Sequence, residues 1–331
     1  MGKDGTITVE ESQTLDHLIT IAMDIDDLLT SMEITSLRSR SWLDPVHHRK
    51  EHFFTVEFKH DGDVHKVDNV LVPGCVELFR FLFERADVRP AFFSAGIRAR
   101  NLALGRRVVQ MAVDGGGDPA WLNRYAVYSR EDCFDTERLA HYLDDEVRKR
   151  FQPPLFFGNY KKDLRMIHHG REAYHAMHLQ TLHEPAVLLP DPEQDEKLLE
   201  NLVLVEEDAS YLFPGQEKNM LLCPTYGHAG PFMVNYHGED TPSECKTSYR
   251  NDFKCANTIF YAAGVLSRAF ERHEAEGLPI PEILWQEQGH LWANRDAYDK
   301  RFPVEFFTKG REVLRRYNPD LNFAVASNTQ G

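Results

Sequence analysis

Residues Leu18 to Met23, Leu-Ile-Thr-Ile-Ala-Met, form a short apolar run that stops abruptly at Asp24-Ile25-Asp26-Asp27. So short a run, bounded by carboxylates, reads as a strand buried on both faces, and such strands belong to parallel sheets covered by helices. Acidic side chains at its C-terminal end then sit where open α/β sheets keep their chemistry. The fold class that follows is α/β, a three-layer core with a mostly parallel sheet.

The rest of the chain fits that frame. Phe53 to Phe58 and His65 to Val70 flank Asp61-Gly62-Asp63, a hairpin signature that predicts a small β flap within residues 30–70. Pro73-Gly74 opens a helix, Pro90 to Phe93 is a second strand ending at Ser94, and a helix follows from Ile97 to Val113. Ala126 to Ser129 and Leu202 to Val205 read as further strands. Residues 134–157 and 164–201 differ in character and read as helical insertions, the second one His-rich. Residues 1–222 are expected to form the core, and 223–331 a helical extension packed on it, with helices over Asn251 to Glu276 and Pro303 to Arg316.

Charge and composition narrow the function. With 52 acidic against 38 basic side chains, a net charge of -14 repels the phosphate backbone of nucleic acid, so no nucleic-acid partner is expected. No apolar run is long enough to span a membrane, and Met1 to Glu10 lacks a signal-peptide pattern, which points to a cytoplasmic chain. The insertions would also suit a bacterial effector delivered into a host cytosol. Five cysteines without a C-x-x-C pair argue for reduced thiols and against a zinc site.

Because side chains alternate along an extended chain, Asp24 and Asp26 leave the first strand on the same side. Phosphoryl transfer needs a nucleophile, a cation and a proton for the leaving oxygen, and paired carboxylates can supply the first and third. Three partners follow in order. Phe92-Phe93-Ser94-Ala95-Gly96 ends a strand with a hydroxyl and small residues, able to bind a phosphoryl oxygen through Ser94 and nearby N–H groups. Lys161-Lys162-Asp163 offers an ammonium to offset gathered negative charge, and Leu202 to Val205 leads into Glu206-Glu207-Asp208. Hard carboxylate oxygens suit Mg²⁺, which asks for one or two protein carboxylates.

This order of motifs resembles the haloacid dehalogenase superfamily, and within it the branch of small C-terminal-domain phosphatases, the FCP-like or NLI-interacting-factor-like family. Arg130-Glu131-Asp132-Cys133 fits the family's R-E-x-C, and Gly158-Asn159-Tyr160-Lys161-Lys162-Asp163-Leu164 fits its G-N-Y-x-K-D-L. Phe213, Gln216 and Asn219 keep the family's distances if Glu207-Asp208 is the acidic pair. The resemblance covers roughly residues 17 to 222 and departs from the family in several places, among them the long spacer from Phe134 to Phe157 and a second extension between Asp163 and Glu207. Ser94 stands for the usual Thr, Glu207-Asp208 for D-D or D-N, and Arg100 for an aromatic residue of the nuclear members.

The resemblance implies a Mg²⁺-dependent phosphatase working through an aspartyl-phosphate. Asp24 would be nucleophile and metal ligand, and Asp26 the acid and then base, with its backbone carbonyl on the metal. Ser94 would bind the phosphoryl group beside Ala95 and Gly96, and Arg130 would reach the substrate phosphate. Lys162 would stabilise the intermediate while pairing with Glu207, and Asp208 would complete the metal site. With only about 40 residues before Val72, no large lid enters there, which favours phosphorylated protein side chains as substrate. A small-molecule phosphatase with the insertions as a cap is the second reading, and a non-catalytic adaptor the third. His168, His169, His175, His178 and His183 read as a helix face, Cys133 as a packed thiol, and Trp285, Trp292, Phe302 and Phe306 as core.

Overall fold

The computed structural model describes residues 18–31, 53–136, 160–181, 192–224, 226, 253–254, 256–293 and 302–323. The expectations for Met1 to Glu10, for much of the flap and both insertions, and for Gly158, Asn159, His183, Cys245 and Cys255 lie outside those residues. The same holds for the side chains of His178 and Trp292.

Ten strands occur among the described residues: β1 (Ile19–Met23), β2 (Thr30–Ser31), β3 (Phe53–His60), β4 (Asp63–Leu71), β5 (Val88–Phe93), β6 (Ala126–Tyr128), β7 (Phe134–Asp135), β8 (Tyr160–Lys161), β9 (Leu202–Glu206) and β10 (Met220–Leu222). Five of them form one wholly parallel sheet in the order β10-β9-β1-β5-β6. Every residue of β1, β5 and β9 is buried, which is why these strands carry no polar alternation. Pro90 is tolerated inside β5 because β6 pairs only from Ala91 onward, so the missing N–H disrupts no ladder on that side.

Helices α1 (Cys75–Phe83) and α2 (Arg98–Asp114) make the crossovers from β1 to β5 and from β5 to β6. They pack on each other and on the sheet, with the Phe79 ring stacked 4.9 Å from Phe92. The flap is a sheet in the order β2-β4-β3, and its hairpin turns through Asp61 (φ 52°) and Gly62 (φ 89°). Two consecutive left-handed residues make the tight turn whose twist suits paired strands. The hairpin leans on α2 through β3.

Between β8 and β9 come α3 (Arg165–His169), α4 (Arg171–Thr181) and α5 (Pro192–Leu198). After the core follow α6 (Thr258–Glu276), α7 (Ile280–Ala293) and α8 (Val304–Leu314). The first of these is preceded by helical residues at 253, 254 and 256, in keeping with the expected stretch, and α7 was not expected from the sequence. Gln288 of α7 joins the sheet edge, accepting from Leu222 N at 3.1 Å and donating to Leu222 O at 3.2 Å. Phe302 and Phe306 are core as expected, whereas Trp285 is 37 % exposed. No helix among the described residues is long and apolar enough to cross a membrane.

Helices α6 and α8 approach each other closely at two glycines. A Cβ built on Gly264 would lie 1.8 Å from Phe306 O, and one on Gly310 would lie 1.7 Å from Phe260 O. In an isolated helix Gly→Ala gains about 1 kcal/mol. Here the added methyl meets backbone rather than a flexible side chain, so Gly310→Ala is expected to destabilise by about 2 kcal/mol or more. A urea unfolding curve measures the sign.

Candidate active site

The sheet order creates the site. From β1 the chain builds outward through β5 to β6, then returns to place β9 and β10 on the other side of β1. The strand order therefore reverses between β1 and β9, and the crevice at their C-terminal ends is where open α/β sheets bind ligands. Asp24 follows β1 at that point, its N–H bonded to Val205 O at 3.0 Å.

Lys162 arrives from β8 on a backbone clamped in the loop after β9, with Lys162 N donating to Tyr211 O at 2.6 Å and Phe213 N to Lys162 O at 3.2 Å. Its fully buried Nζ donates to Asp24 Oδ1 at 2.6 Å and to Glu206 Oε2, and lies 5.2 Å from the centre of the Tyr211 ring. The other oxygen of Glu206 accepts from Glu207 N at 3.2 Å and Asp208 N at 3.4 Å. Asp24, Glu206 and Glu207 each offer an oxygen within 4.8 Å of the others.

Lys162 thus pairs with Glu206, where the motif register placed Glu207. The reason is that β9 runs to Glu206, one residue further than expected. With Met23 opposite Val205, the next residues in register are Asp24 and Glu206. Asp208 lies outside the cluster: its Oδ1 caps the next turn, accepting from Ser210 N at 2.8 Å. Of the two carboxylates expected on the metal, Asp24 is in the cluster and Asp208 is not.

Three buried carboxylates around one ammonium leave an excess of negative charge. Burial, then the charge of Glu206, hold the Asp24 carboxyl well above the usual range. Glu207 is raised for the same reasons, burial first and then Glu206 and Asp24. Burial works against the charge on Lys162, but Asp24, Glu206 and Glu207 together hold it protonated well above the ordinary lysine value. Glu207 Oε2 is buried without a hydrogen-bond partner. An orphaned carboxylate oxygen amid uncompensated negative charge is what a site for a hard divalent cation presents.

The second group of residues centres on Asp26. A tight turn through Asp27, whose φ of 58° is left-handed, carries Asp26 back to bridge Thr30, with Thr30 N bonded to Ile25 O at 2.8 Å. Ser94 Oγ donates to Asp26 Oδ2 at 3.2 Å and accepts from Gly96 N at 3.1 Å. Asn101 ties the Ser94-Ala95-Gly96 loop down, its Nδ2 lying 3.3 Å from Ser94 O and 3.1 Å from Gly96 O. Arg100 grips Asp26 from below, donating Nη1 to Oδ2 at 2.9 Å and Nη2 to Oδ1.

Arg130, in the turn after β6, packs against that loop, donating Nε to Ala95 O at 2.9 Å, with its guanidinium 5.3 Å from the centre of the Tyr160 ring. Its side chain is exposed, with the terminal nitrogens beyond that bond. Gln216 and Asn219 serve the scaffold. Gln216 Nε2 donates to buried Asp163 at 2.7 Å, and Asn219 Nδ2 to Leu199 O and Leu202 O at 2.7 and 2.8 Å. Cys133 is buried, and burial pushes its thiol far above the ordinary value, as a packed residue requires. Sequence reasoning missed Glu206, Arg100 and Asn101 as members of the site. Glu206 was visible as the last residue of the apolar strand; the other two carried no signal beyond their place after Ser94.

Fold and site together define an open, parallel α/β protein with a buried acid–lysine centre at its switch point. No family model matches the chain, and no curated protein sequence matches it. Two solved structures of RNA polymerase II CTD phosphatases, the group the motif run resembles, are similar to it. One is Fcp1, described as an essential RNA polymerase II CTD phosphatase, at 14% identity and a TM-score of 0.34 over 94% of this chain and 63% of that one. The other is a variant of the fission yeast Fcp1 bound to beryllium fluoride, at 12% identity and a TM-score of 0.34 over 96% of this chain and 70% of that one. The chain thus spans less than two thirds of the first, and at that TM-score the likeness adds no weight to the chain's own geometry.

Lys162→Met keeps the buried stem but removes the charge that the three carboxylates face. Breaking a buried pair in this way costs about 3–5 kcal/mol, so the variant is expected to unfold at a markedly lower urea concentration than the parent. An unchanged midpoint would show that the cluster balances its charge without Lys162.

Proposed function

We propose that this chain is a Mg²⁺-dependent phosphatase that hydrolyses phosphomonoesters on protein side chains through an acyl phosphate on Asp24. The observation that carries the reading is Asp24 at the switch point, bound by Lys162 inside a carboxylate cluster that one ammonium does not neutralise. The motif order and its resemblance to the FCP-like phosphatases support the same reading.

The donor set fits the metal. Asp24 and Glu207, with its orphaned Oε2, would hold Mg²⁺, while Glu206 is already engaged by Lys162 and two backbone N–H groups. Bound there, Mg²⁺ would draw charge from the phosphoryl oxygens and relieve the excess on the carboxylates.

The chain's own residues divide the remaining work. Asp24 supplies the attacking oxygen, and Lys162 holds its carboxylate in place and balances charge as the acyl phosphate forms. Ser94 Oγ, fixed by Gly96 N–H, is positioned to turn its proton toward a phosphoryl oxygen. Asp26, hydrogen-bonded by Ser94 Oγ, can accept the proton of the water that later attacks phosphorus and releases Asp24. A phosphorylated protein is favoured because the described flap is a small sheet resting on α2 rather than a domain closing over the crevice.

Hydrolysis of 4-nitrophenyl phosphate is expected to require Mg²⁺ and to stop with EDTA; activity in excess chelator would refute the scheme. Independently of turnover, Mg²⁺ should raise the melting temperature of the parent, and Glu207→Gln should lose most of that rise.

Asp24→Asn is expected to abolish turnover of every substrate. Asp26→Asn should slow release of phosphate by about 10²- to 10⁴-fold, so acid quenching traps label on Asp24. Label on Ser94 or Cys133 instead would rule out the aspartyl-phosphate.

A further inference from the structure

Beside the Ser94 loop, one buried carboxylate is held by two arginines. Arg171, the first residue of α4, donates Nε to Asp132 Oδ1 at 2.6 Å and sends Nη2 to the same oxygen. Arg98, the first residue of α2, donates Nη1 to Asp132 Oδ2 at 3.3 Å, and that oxygen also accepts from Ser129 N at 2.8 Å. Arg130, in the same turn as Asp132, donates to Ala95 O and forms no ion pair among the described residues.

One carboxylate balances one guanidinium, so the pair on Asp132 leaves positive charge over. Among the described residues, Arg98 Nε and Nη2, Arg171 Nη1 and both terminal nitrogens of Arg130 have no hydrogen-bond partner. The Arg98 and Arg171 side chains are 24% and 32% exposed, while Asp132 between them is 1% exposed. Glu131 and Glu172, the exposed acids next to Arg130 and Arg171 in sequence, pair with none of the three among the described residues. These arginines are tied to the loop that carries Ser94: Arg98 follows Gly96 by two residues, and Arg130 N donates to Gly96 O at 3.0 Å. The chain as a whole has a net charge of -14, and its crevice gathers Asp24, Asp26, Glu206 and Glu207. Such surroundings repel an anionic ligand, and this rim opposes them.

We propose that Arg98 and Arg171, with Arg130 beside them, bind an anionic side chain flanking the phosphorylated residue, so that the substrate is an acidic segment of a protein. The inference rests on the phosphatase reading above. A guanidinium presents several N–H donors in one plane, and the edge not turned to Asp132 can meet a carboxylate or a second phosphate, each of which accepts two donors at once. Asp132 holds both heads in place before the ligand arrives, so little rotamer freedom is lost on binding. Without the rim, the net charge predicts the reverse, a penalty for every acid added to the substrate.

The test uses the full chain with Mg²⁺ and peptides of one core sequence, with phosphotyrosine or phosphoserine at the reacting position and either aspartates or asparagines around it. A third version carries a non-hydrolysable phosphonate residue in place of the aspartates, which separates carboxylate from phosphate as the flanking group. At low salt the parent is expected to show a kcat/KM about tenfold or more higher on an acid-flanked peptide, the gain lying in KM. Raising NaCl to about 0.5 M should shrink that gain, because screening then acts within a few ångströms. Arg171→Gln and Arg98→Gln should each bring acid-flanked and neutral peptides within about threefold. Asp132→Asn unties the same ion pairs but leaves both guanidiniums, and it should keep the preference. Equal or lower turnover of both acid-flanked versions by the parent would overturn the proposal, and that result needs no variant to fold. An unchanged preference in the arginine variants, or the same loss in Asp132→Asn, would overturn it too, the latter by making the arginines purely structural. A parent that turns over neither the peptides nor 4-nitrophenyl phosphate removes the phosphatase reading. The rim is then judged by fluorescence anisotropy of the same labelled peptides: tighter binding of an acid-flanked version that Arg171→Gln abolishes sustains it, and equal binding overturns it.

Discussion

The ammonium of Lys162 is the contact on which the rest of the site depends. It reaches across 138 residues of sequence to Asp24 and is the buried cation set against Asp24, Glu206 and Glu207. Much of the surrounding structure holds that one nitrogen in place. The Lys162 backbone is laced to Tyr211 and Phe213, and Asp163, one residue on, is fixed by Arg165, Tyr174 and Gln216. Neighbouring Lys161 points instead to the carbonyl of Ser210. Two consecutive lysines therefore split into an electrostatic centre and a loop tie, because an extended backbone sends them to opposite sides.

The same alternation places Asp24 and Asp26 on one side of the chain leaving β1, yet the turn at Asp27 separates their surroundings. Asp24 stays in the plane of the sheet between β9 and β5. Asp26 is carried toward the loop after β5, where α2 begins. One short turn thus gives two identical side chains opposite partners, a lysine in a carboxylate cluster and an arginine fork.

Much of this was legible in the sequence because it lay at strand ends. Asp24 and Ser94 follow buried strands whose apolar runs stop at polar residues, and the hairpin was visible in Asp61-Gly62. The acidic member of the cluster was misplaced for a definable reason: its register was taken from loop residues Phe213, Gln216 and Asn219, whereas pairing with β1 is set by where β9 ends. Arg100 meets Asp26 only through tertiary structure, 74 residues apart in sequence, and no local pattern announces such a pair. Helix α7 holds Pro281 in its first turn, where the missing N–H has no partner to lose. Strand β10 is three residues long and has no flanking pattern of its own.

The strand order also bears on how the protein is made. β1 is translated first among the sheet strands and ends in the middle of the sheet. Its partner β5 follows after the flap and α1, but β9 emerges only after the whole stretch that carries Lys162. Until then the nascent sheet has an open apolar edge, the kind of surface that chaperones shield and that aggregates when left bare. Long-range parallel pairing of this sort folds slowly. Pairing of β9 with β1 covers that edge and also brings Glu206 beside Lys162 and Asp24.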